Sequence, residues 1–488
     1  MFKSLSLKVI IFGFIFTFFS SFGQSYFLGL FNSSIRETLS ISHGQFGSIY
    51  ASATLCSSFL LIWVGKKIDD MNVFKFAIFV AILLSFSCFF FSKISSIIFL
   101  FFGIFLMRFS GQGMMSHTAT TTISRFFTKS RGKALSFGWF GLSLGEFILP
   151  VLMVFFLTLT NWENIWLIIS LLVLIFLPIT SYLLVKNISL DSRENTKENE
   201  PKEENVKQWM RKEVIKDYRF YIINMNMLAM PSIATGVFVY QSFIASSKNW
   251  GQYVIAQSFM SYSVLTVITL IISGFLVDKF TSRRLLIYMN FPLLFSVLVI
   301  IYFNIPISAF VFLGLIGITN GLVNLLGSSI WAEIYGVKYI GSIKALTTAL
   351  MVFATAFGTA LFGILIDYGF TIEKIAVVSG IYIVLTGISL WFALPVSTIE
   401  AAAEIDQRLH LQDRISSAIS CEDSTTPFSI AVIEDAIKTA KANDVQSNIS
   451  KYFPLSMPKE YSMIALVGII TAAIFWTGQW GLWSQDNQ

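Results

Sequence analysis

The chain has 488 residues, of which 55% are hydrophobic, 16% aromatic and only 13% charged; this balance is ill suited to a soluble globule and ordinary for a membrane protein. Its net charge of +6 comes from 34 Lys and Arg against 28 Asp and Glu, and the basic residues gather in alternate loops, so the excess reads as membrane topology and not as a nucleic-acid surface. Cys56, Cys88 and Cys421 have no metal or redox spacing, which leaves metal-centred and thiol-exchange chemistry without support.

Apolar runs long enough to cross ~30 Å of hydrocarbon as helices are predicted at 9–32, 45–64, 73–92, 95–123, 133–157, 163–185, 219–246, 252–277, 284–303, 306–332, 342–367 and 371–395. They define an all-α polytopic membrane protein of twelve spans. The first run is longer than a signal-peptide core and lacks a small-residue cleavage pattern, so it is read as a retained helix. With the N-terminus in the cytoplasm, Lys66, Lys67, Arg125, Lys129, Arg131, the 187–217 segment, Lys279, Arg283 and Arg284 fall inside, and Arg36, Lys93, Lys248 and Lys374 outside. That is the bias expected of a multi-pass protein of the cell membrane, the inner membrane in a bacterium with two.

The spans divide into a six-helix half at 1–186 and another at 218–396, joined by a polar linker at 187–217. In the linker, Val206, Met210 and Val214 recur at helical spacing among Lys and Arg, which suits either a membrane-surface helix or a plain tether. A soluble, helix-like tail occupies 397–460 and precedes "YSMIALVGIITAAIFWTGQWGLW" at 461–483. This last run is long enough to be a thirteenth crossing, the favoured reading; a docking helix at the interface is the alternative.

The halves carry traces of a repeat. "GKKIDD" from Gly65 and "GFLVDK" from Gly274 place Asp69 and Asp278 alike after the second helix of each half, and Gly132 and Gly341 share the same offset. With the twelve spans and the central loop, these motifs resemble the major facilitator superfamily, whose loop signature is G-x-x-x-D-(R/K)-x-G-x-(R/K)-(R/K). The second copy keeps Gly274, Asp278, Lys279, Arg283 and Arg284 but has Thr281 for the second glycine; the first keeps Gly65, Asp69 and Lys75 but has Asp70 and Asn72 at the basic and glycine positions. Stretches such as "GQSYFLGLF", "RGKALS" and "WAEIYG" are similar to a bacterial branch of the family. The resemblance implies signature loops that brace conformational change. "RFSGQG" from Arg108 resembles the family's fourth-helix R-x-x-Q-G motif, linked to proton transfer or substrate charge. "GLSLGEFILP" resembles its fifth-helix G-x-x-x-G-P motif, with Glu146 at the proline position.

The residues themselves point to the same pair. At ~1.5 Å rise per residue, Arg108 and Glu146 stand roughly 25 and 20 Å above the basic flank of their helices, near the midplane. A charge there is costly enough to need a partner or a function. Two readings stay open: substrate or proton coupling, and a structural ion pair between the two. Gln112 shares the Arg108 face at i+4, whereas His117 points away and reads as a packing residue. Gly138, Gly141 and Gly145 form a seam for close helix approach. Gln24, Tyr26, Tyr240, Gln241, Asn320 and Asn324 are further polar candidates within spans.

The "GLSLG" at Gly141 matches a hydrolase elbow only in letters, because that motif needs a strand-turn-helix context. P-loop and dinucleotide fingerprints are absent from the sequence, so neither an enzyme nor a cofactor is expected. The reading is a secondary transporter of a small solute, an organic anion or carboxylate-bearing metabolite, working by alternating access with protons as a candidate coupling ion. The alternative is a transporter-like receptor or scaffold. The implied partners are the solute, protons and the bilayer, with no nucleic acid; the chain is read as a monomer, and the tail's partner is unassigned.

Overall fold

Within hydrocarbon every backbone N–H and C=O must be satisfied inside the chain, so apolar runs of this length become helices. The computed structural model describes residues 4–68, 70–127, 131–186, 208–336, 339–393, 398–422, 424 and 426–443. Among them are 12 helices long and apolar enough to span a membrane: α1 (Leu5–Gly23), α2 (His43–Ile68), α3 (Val73–Phe91), α4 (Ile97–Phe126), α5 (Gly132–Leu159), α6 (Trp162–Val185), α7 (Tyr218–Val239), α8 (Gln252–Val277), α9 (Ser282–Tyr302), α10 (Ile307–Tyr335), α11 (Ile340–Asp367) and α12 (Ile372–Leu390). Their starts carry local stop signals of the expected kind: the Ser42 side chain and Gln45 form a capping box on α2, and Asn72, Ser96 and Asp217 cap α3, α4 and α7. Large apolar side chains such as Ile98, Leu183 and Phe275 remain exposed on the outer surface, where lipid is their natural solvent.

The packing repeats between the halves. In the first, α1 packs on α5 and α4, α2 on α4, and α3 on α6; in the second, α7 packs on α11 and α10, α8 on α10, and α9 on α12. The halves meet through α2 against α11 and α5 against α8, which are equivalent contacts under the same correspondence. The repeat hinted at by two glycine motifs therefore organises the whole bundle.

Because the spans alternate in direction, residues 4 and 393 lie at one end of the bundle, called the near end below. Burial is lopsided along the helices that join the halves. On α2 the buried residues run from Gly44 to Ser57, followed only by Gly65 and Ile68 in its closing 3-10 turn, where Gly65 meets His117 of the same half; on α11 seven of eight lie between Ala354 and Ile366. The halves are thus in close contact at the far end and part toward the near end.

Besides the interruption of α9 at Met289–Asn290 and the 3-10 turn that ends α2, three further spans depart from continuous α-helix. α1 is helical to Ser20, tightens to a 3-10 turn at Ser21–Gly23 and becomes extended at Gln24 (ψ 152°). The chain then proceeds through short helical turns to Leu39. α4 contains a π-helical segment over Arg108–Met115. α7 breaks at Tyr240 before a further helical turn, Gln241–Ser247. The sequence reading had drawn all three as unbroken.

The linker residues from 208 onward end in one helical turn, Arg211–Val214, with Trp209 donating its backbone N–H to the Tyr335 carbonyl (3.0 Å) and packing edge-on against the Tyr335 ring. The remainder of the amphipathic segment, including Val206, lies outside the described residues, as do Asp69 and the 461–483 run. The described residues from 398 to 443 belong to a separate compact unit. Its helices are α13 (Thr398–Arg408), α14 (Arg414–Ser420) and α15 (Pro427–Ala442). Asp406 accepts from the backbone N–H groups of Ile415 (3.0 Å) and Ser416 (2.8 Å), and Arg414 pairs with Asp435 (3.5 Å).

Candidate functional site

The break in α1 lies where the other elements converge. Gly23 sits against the backbone of the π segment: a Cβ on Gly111 would come within 2.6 Å of the Gly23 nitrogen. Only paired glycines allow backbones this close. A π segment frees backbone groups from the regular i→i+4 ladder and is frequent at functional sites. On the opposite side α5 presents its glycine seam to α1. Gly141 abuts the Phe14 carbonyl and Thr17, Gly145 abuts Ser21, and the Thr17 hydroxyl donates to the Gly138 carbonyl (2.5 Å).

Arg108 is 3% exposed. Its Nη1 donates to the Gly23 carbonyl and to Ser25 Oγ (both 3.1 Å), and the guanidinium lies 5.4 Å from the centre of the Tyr50 ring. Tyr50 in turn donates to Ser25 Oγ (3.0 Å). Arg108 therefore ties down a carbonyl released by the break, but every one of these partners is neutral and its Nε is buried without a partner. Glu146 is 8% exposed. Tyr26 and Tyr262 lie within its electrostatic reach, and it has no ion pair among the described residues. The structural ion pair between Arg108 and Glu146 is absent: the two side chains flank the α1 break on different sides, Arg108 by Gly23 and Ser25, Glu146 by Tyr26. Equal depth, which the sequence gives, does not fix the direction a side chain faces.

The second half contributes a directed chain of donors. Asn324 Nδ2 donates to Asn320 Oδ1 (3.1 Å), and Asn320 Nδ2 donates to the Tyr262 hydroxyl (2.9 Å). The Tyr262 hydroxyl also lies beside Thr266, with Glu146 within its electrostatic reach. Tyr262 and Ser21 were missed in the sequence because neither is charged or part of a motif. In the same central region Arg108 Nε is buried without a partner, and Ser21 Oγ and Tyr26 Oη are buried beside each other with no other hydrogen-bond partner. Gln24, at the break itself, and Gln112 are half-buried and make no side-chain hydrogen bond among the described residues. Gln112 does not bond Arg108, whose Nη1 is taken by the Gly23 carbonyl and Ser25 Oγ.

Tyr240 and Gln241 are used differently. Gln241 Nε2 donates to the Tyr26 carbonyl (2.8 Å) and Asn32 Nδ2 to the Val239 carbonyl (2.8 Å), a reciprocal pair joining the broken segments of α1 and α7. Tyr240 donates to the His43 carbonyl (2.9 Å). Beside it, Asp367 at the end of α11 accepts from Ser42 Oγ (2.5 Å), His43 N (3.0 Å) and Gly44 N (2.8 Å), at the N-terminus of α2. Together these bonds seal the far end.

At the near end, His117 bonds the Gly65 carbonyl (3.0 Å) and is a packing residue. In the second signature loop, Glu333 accepts from Ser282 N (2.9 Å) and lies 3.6 Å from Arg283, while Arg284 is exposed. The Gly274 position has open space around it, and Asp278 and Lys279 lie on the last turns of this helix. Thr281 has φ 66° and ψ 154°, a region open essentially to glycine alone. That is the physical reason for the signature's glycine. In the first copy Asn72 instead has φ −62° and caps α3 by accepting from Phe74 N, so its departure is harmless. Among the described residues no group of His, Cys, Asp and Glu could hold a metal ion.

Two pseudo-equivalent six-helix bundles, broken helices at their interface and polar groups at the midplane define a multi-pass membrane transporter of the secondary type. The sequence profile of the Major Facilitator Superfamily matches residues 13–263, and the chain belongs to that family. Among solved structures it is similar to a bacterial homologue of the human lysosomal transporter Spinster in an inward-facing, unoccupied conformation, with a TM-score of 0.62 at 13% identity over 80% of this chain and 98% of that one. It is also similar to the nucleoside transporter NupG, with a TM-score of 0.60 at 14% identity over 81% of this chain and 100% of that one. No curated protein sequence matches the chain.

Proposed function

We propose that the protein is a proton-coupled transporter of a small organic anion, working by alternating access, and that its near end faces the cytoplasm. The observation that carries this reading is the isolation of the two midplane charges. Arg108 is buried against the α1 break within the first half and Glu146 is buried where that half approaches Tyr262 of the second, and neither has an oppositely charged partner among the described residues. A buried uncompensated charge is strongly destabilising, so each calls for a counter-charge that arrives and leaves. For Arg108 that is the anionic group of the cargo, offered its free guanidinium edge; for Glu146 it is a proton, since protonation removes the charge. Gln24, Gln112, Tyr26 and Tyr262 supply further polar contacts around the break. The loop charge bias supports the orientation.

The test is uptake into proteoliposomes of a panel of organic acids, amino acids and sugars, with and without a pH gradient. An anion should accumulate only with the gradient. Glu146→Gln should abolish accumulation while leaving exchange across the membrane. Arg108→Lys keeps the charge but loses the planar fork, and should reduce both. Transport of sugars alone, or accumulation by Glu146→Gln equal to the native protein, refutes the proposal.

A further inference from the structure

A cavity of about 280 Å³ opens between α7, α10 and α11 in the near-end portion of the second half. It is apart from Arg108 and has a distinct chemistry. One wall is apolar, with Met227, Pro231, Trp331 and Met351; the other presents Asn224, Asn324, Thr347, Thr348 and Lys344. No carboxylate lines it. Lys344 lies in the first turns of α11 (Ile340–Asp367) and lines this space. The ammonium has no ion pair or side-chain hydrogen bond among the described residues. The wall on which Asn324 stands leads inward, because Asn324 bonds Asn320 and Asn320 bonds Tyr262 beside Glu146.

We propose that this cavity is an anion-accepting station on the near-end side of the central site, with Lys344 as its cation and Trp331 and the methionines as the bed for an apolar body. The ligand class that fits is a small amphiphilic oxyanion, a carboxylate or phosphate on a ring or branched chain. Its volume sits at the lower edge of the roughly 300–1,000 Å³ of ligand pockets, which suits a compact solute. A cation without a carboxylate in a concave, low-dielectric wall focuses field into the space and concentrates anions there. A ligand held at Lys344 would lie next to Asn324 and so in contact with the chain of donors that ends at Tyr262.

The station rests on the transport reading for its place in a path, but its charge can be measured without transport. Thr348 is exposed on the cavity wall. In a protein whose Cys56, Cys88 and Cys421 are replaced by serine, Thr348→Cys can be modified by an anionic (ethylsulfonate), a cationic (trimethylammonium) or a neutral methanethiosulfonate. The anionic reagent should react faster than the cationic one once each is normalised to the neutral. Lys344→Gln should lower that ratio about fivefold or more, as expected from the loss of a focused potential, and Lys344→Arg should preserve it. Benzoate or phenyl phosphate should slow the modification, benzyl alcohol should not, and the slowing should vanish in Lys344→Gln. A ratio indifferent to Lys344→Gln, or equal protection by benzyl alcohol, overturns the proposal. Slowing in phosphatidylglycerol nanodiscs relative to phosphatidylcholine, without slowing by benzoate or phenyl phosphate, would assign the cavity to a lipid headgroup and overturn the solute station. Uptake failing across the whole panel while the ratio still falls would refute the transport reading and leave the station's charge established.

Discussion

Asp367 is the far-end contact whose removal has the clearest expected consequence. Its two oxygens accept three hydrogen bonds from the N-terminus of α2, one from a hydroxyl and two from backbone amides. Gly44 permits this approach, since a Cβ there would lie 2.6 Å from Asp367 Oδ2. A hydrogen bond to a charged group contributes about 1.5–3 kcal/mol when buried, and the helix dipole adds roughly 0.3–1 kcal/mol. Asp367 is exposed, and water takes over these donors when the contact opens, so the low end applies and about 2 kcal/mol is a fair total for the three bonds. Asp367→Ala should then shift the balance between far-end-sealed and far-end-open forms toward the open by about 30-fold, at 1.4 kcal/mol per decade. Ser42→Ala removes one of the three bonds, about threefold by the same reckoning. It also removes the α2 cap, but that loss is common to both forms and cancels from their ratio. Spin labels at Glu37 and Thr371, both exposed, would report the two populations as a long and a short distance. Unchanged populations in Asp367→Ala, or equal effects of the two substitutions, would show that the latch is incidental and that the reciprocal Gln241 and Asn32 bonds hold the end shut.

Thr281→Gly should raise the melting temperature in detergent, because relief of about 1–3 kcal/mol of backbone strain exceeds the roughly 0.4–1 kcal/mol of added unfolded-state entropy; a lower melting temperature would contradict the strain. Gly141→Ala places a methyl group on the Phe14 carbonyl and should remove most folded protein by size-exclusion chromatography, whereas at Gly138 the methyl meets only the end of the Ile123 side chain, and Gly138→Ala should be tolerated. The Asp217 carboxyl lies below its ordinary value of 3.8: burial pushes it up, but hydrogen bonds from Arg219 and Tyr335 outweigh that. A depressed folded-state value means stability present above about pH 4 and lost as pH falls through it. Asp217→Asn should accordingly lower thermal stability at neutral pH, with the difference from the native protein closing as the medium is acidified below pH 4. A gap of constant size across that range would argue against an ionised brace.

The parts of this molecule that could be read from the sequence are those that depend on one dimension of the chain. Twelve spans follow from run length against bilayer thickness, and the repeat follows from motif positions; the packing equivalences between halves then come from the same helices placed in the same order. What the sequence did not reveal is rotational or local. Arg108 and Glu146 share a depth, yet a π segment in α4 and an unwound turn in α1 decide what each faces, and no residue in "RFSGQG" or "SFGQ" announces either feature by propensity alone. Both stretches do, however, place glycine next to a long polar side chain inside an apolar helix, Gly111 before Gln112 and Gly23 before Gln24. The structure shows what that pairing allows: the glycines let two backbones touch where each leaves regular α-helix, and the carbonyl at Gly23 is what Arg108 binds. The arginine therefore has an architectural bond and an unused edge at once. Nη1 makes both hydrogen bonds, to the Gly23 carbonyl and to Ser25 Oγ, so the guanidinium is oriented by the broken helix while no acid pairs with it among the described residues.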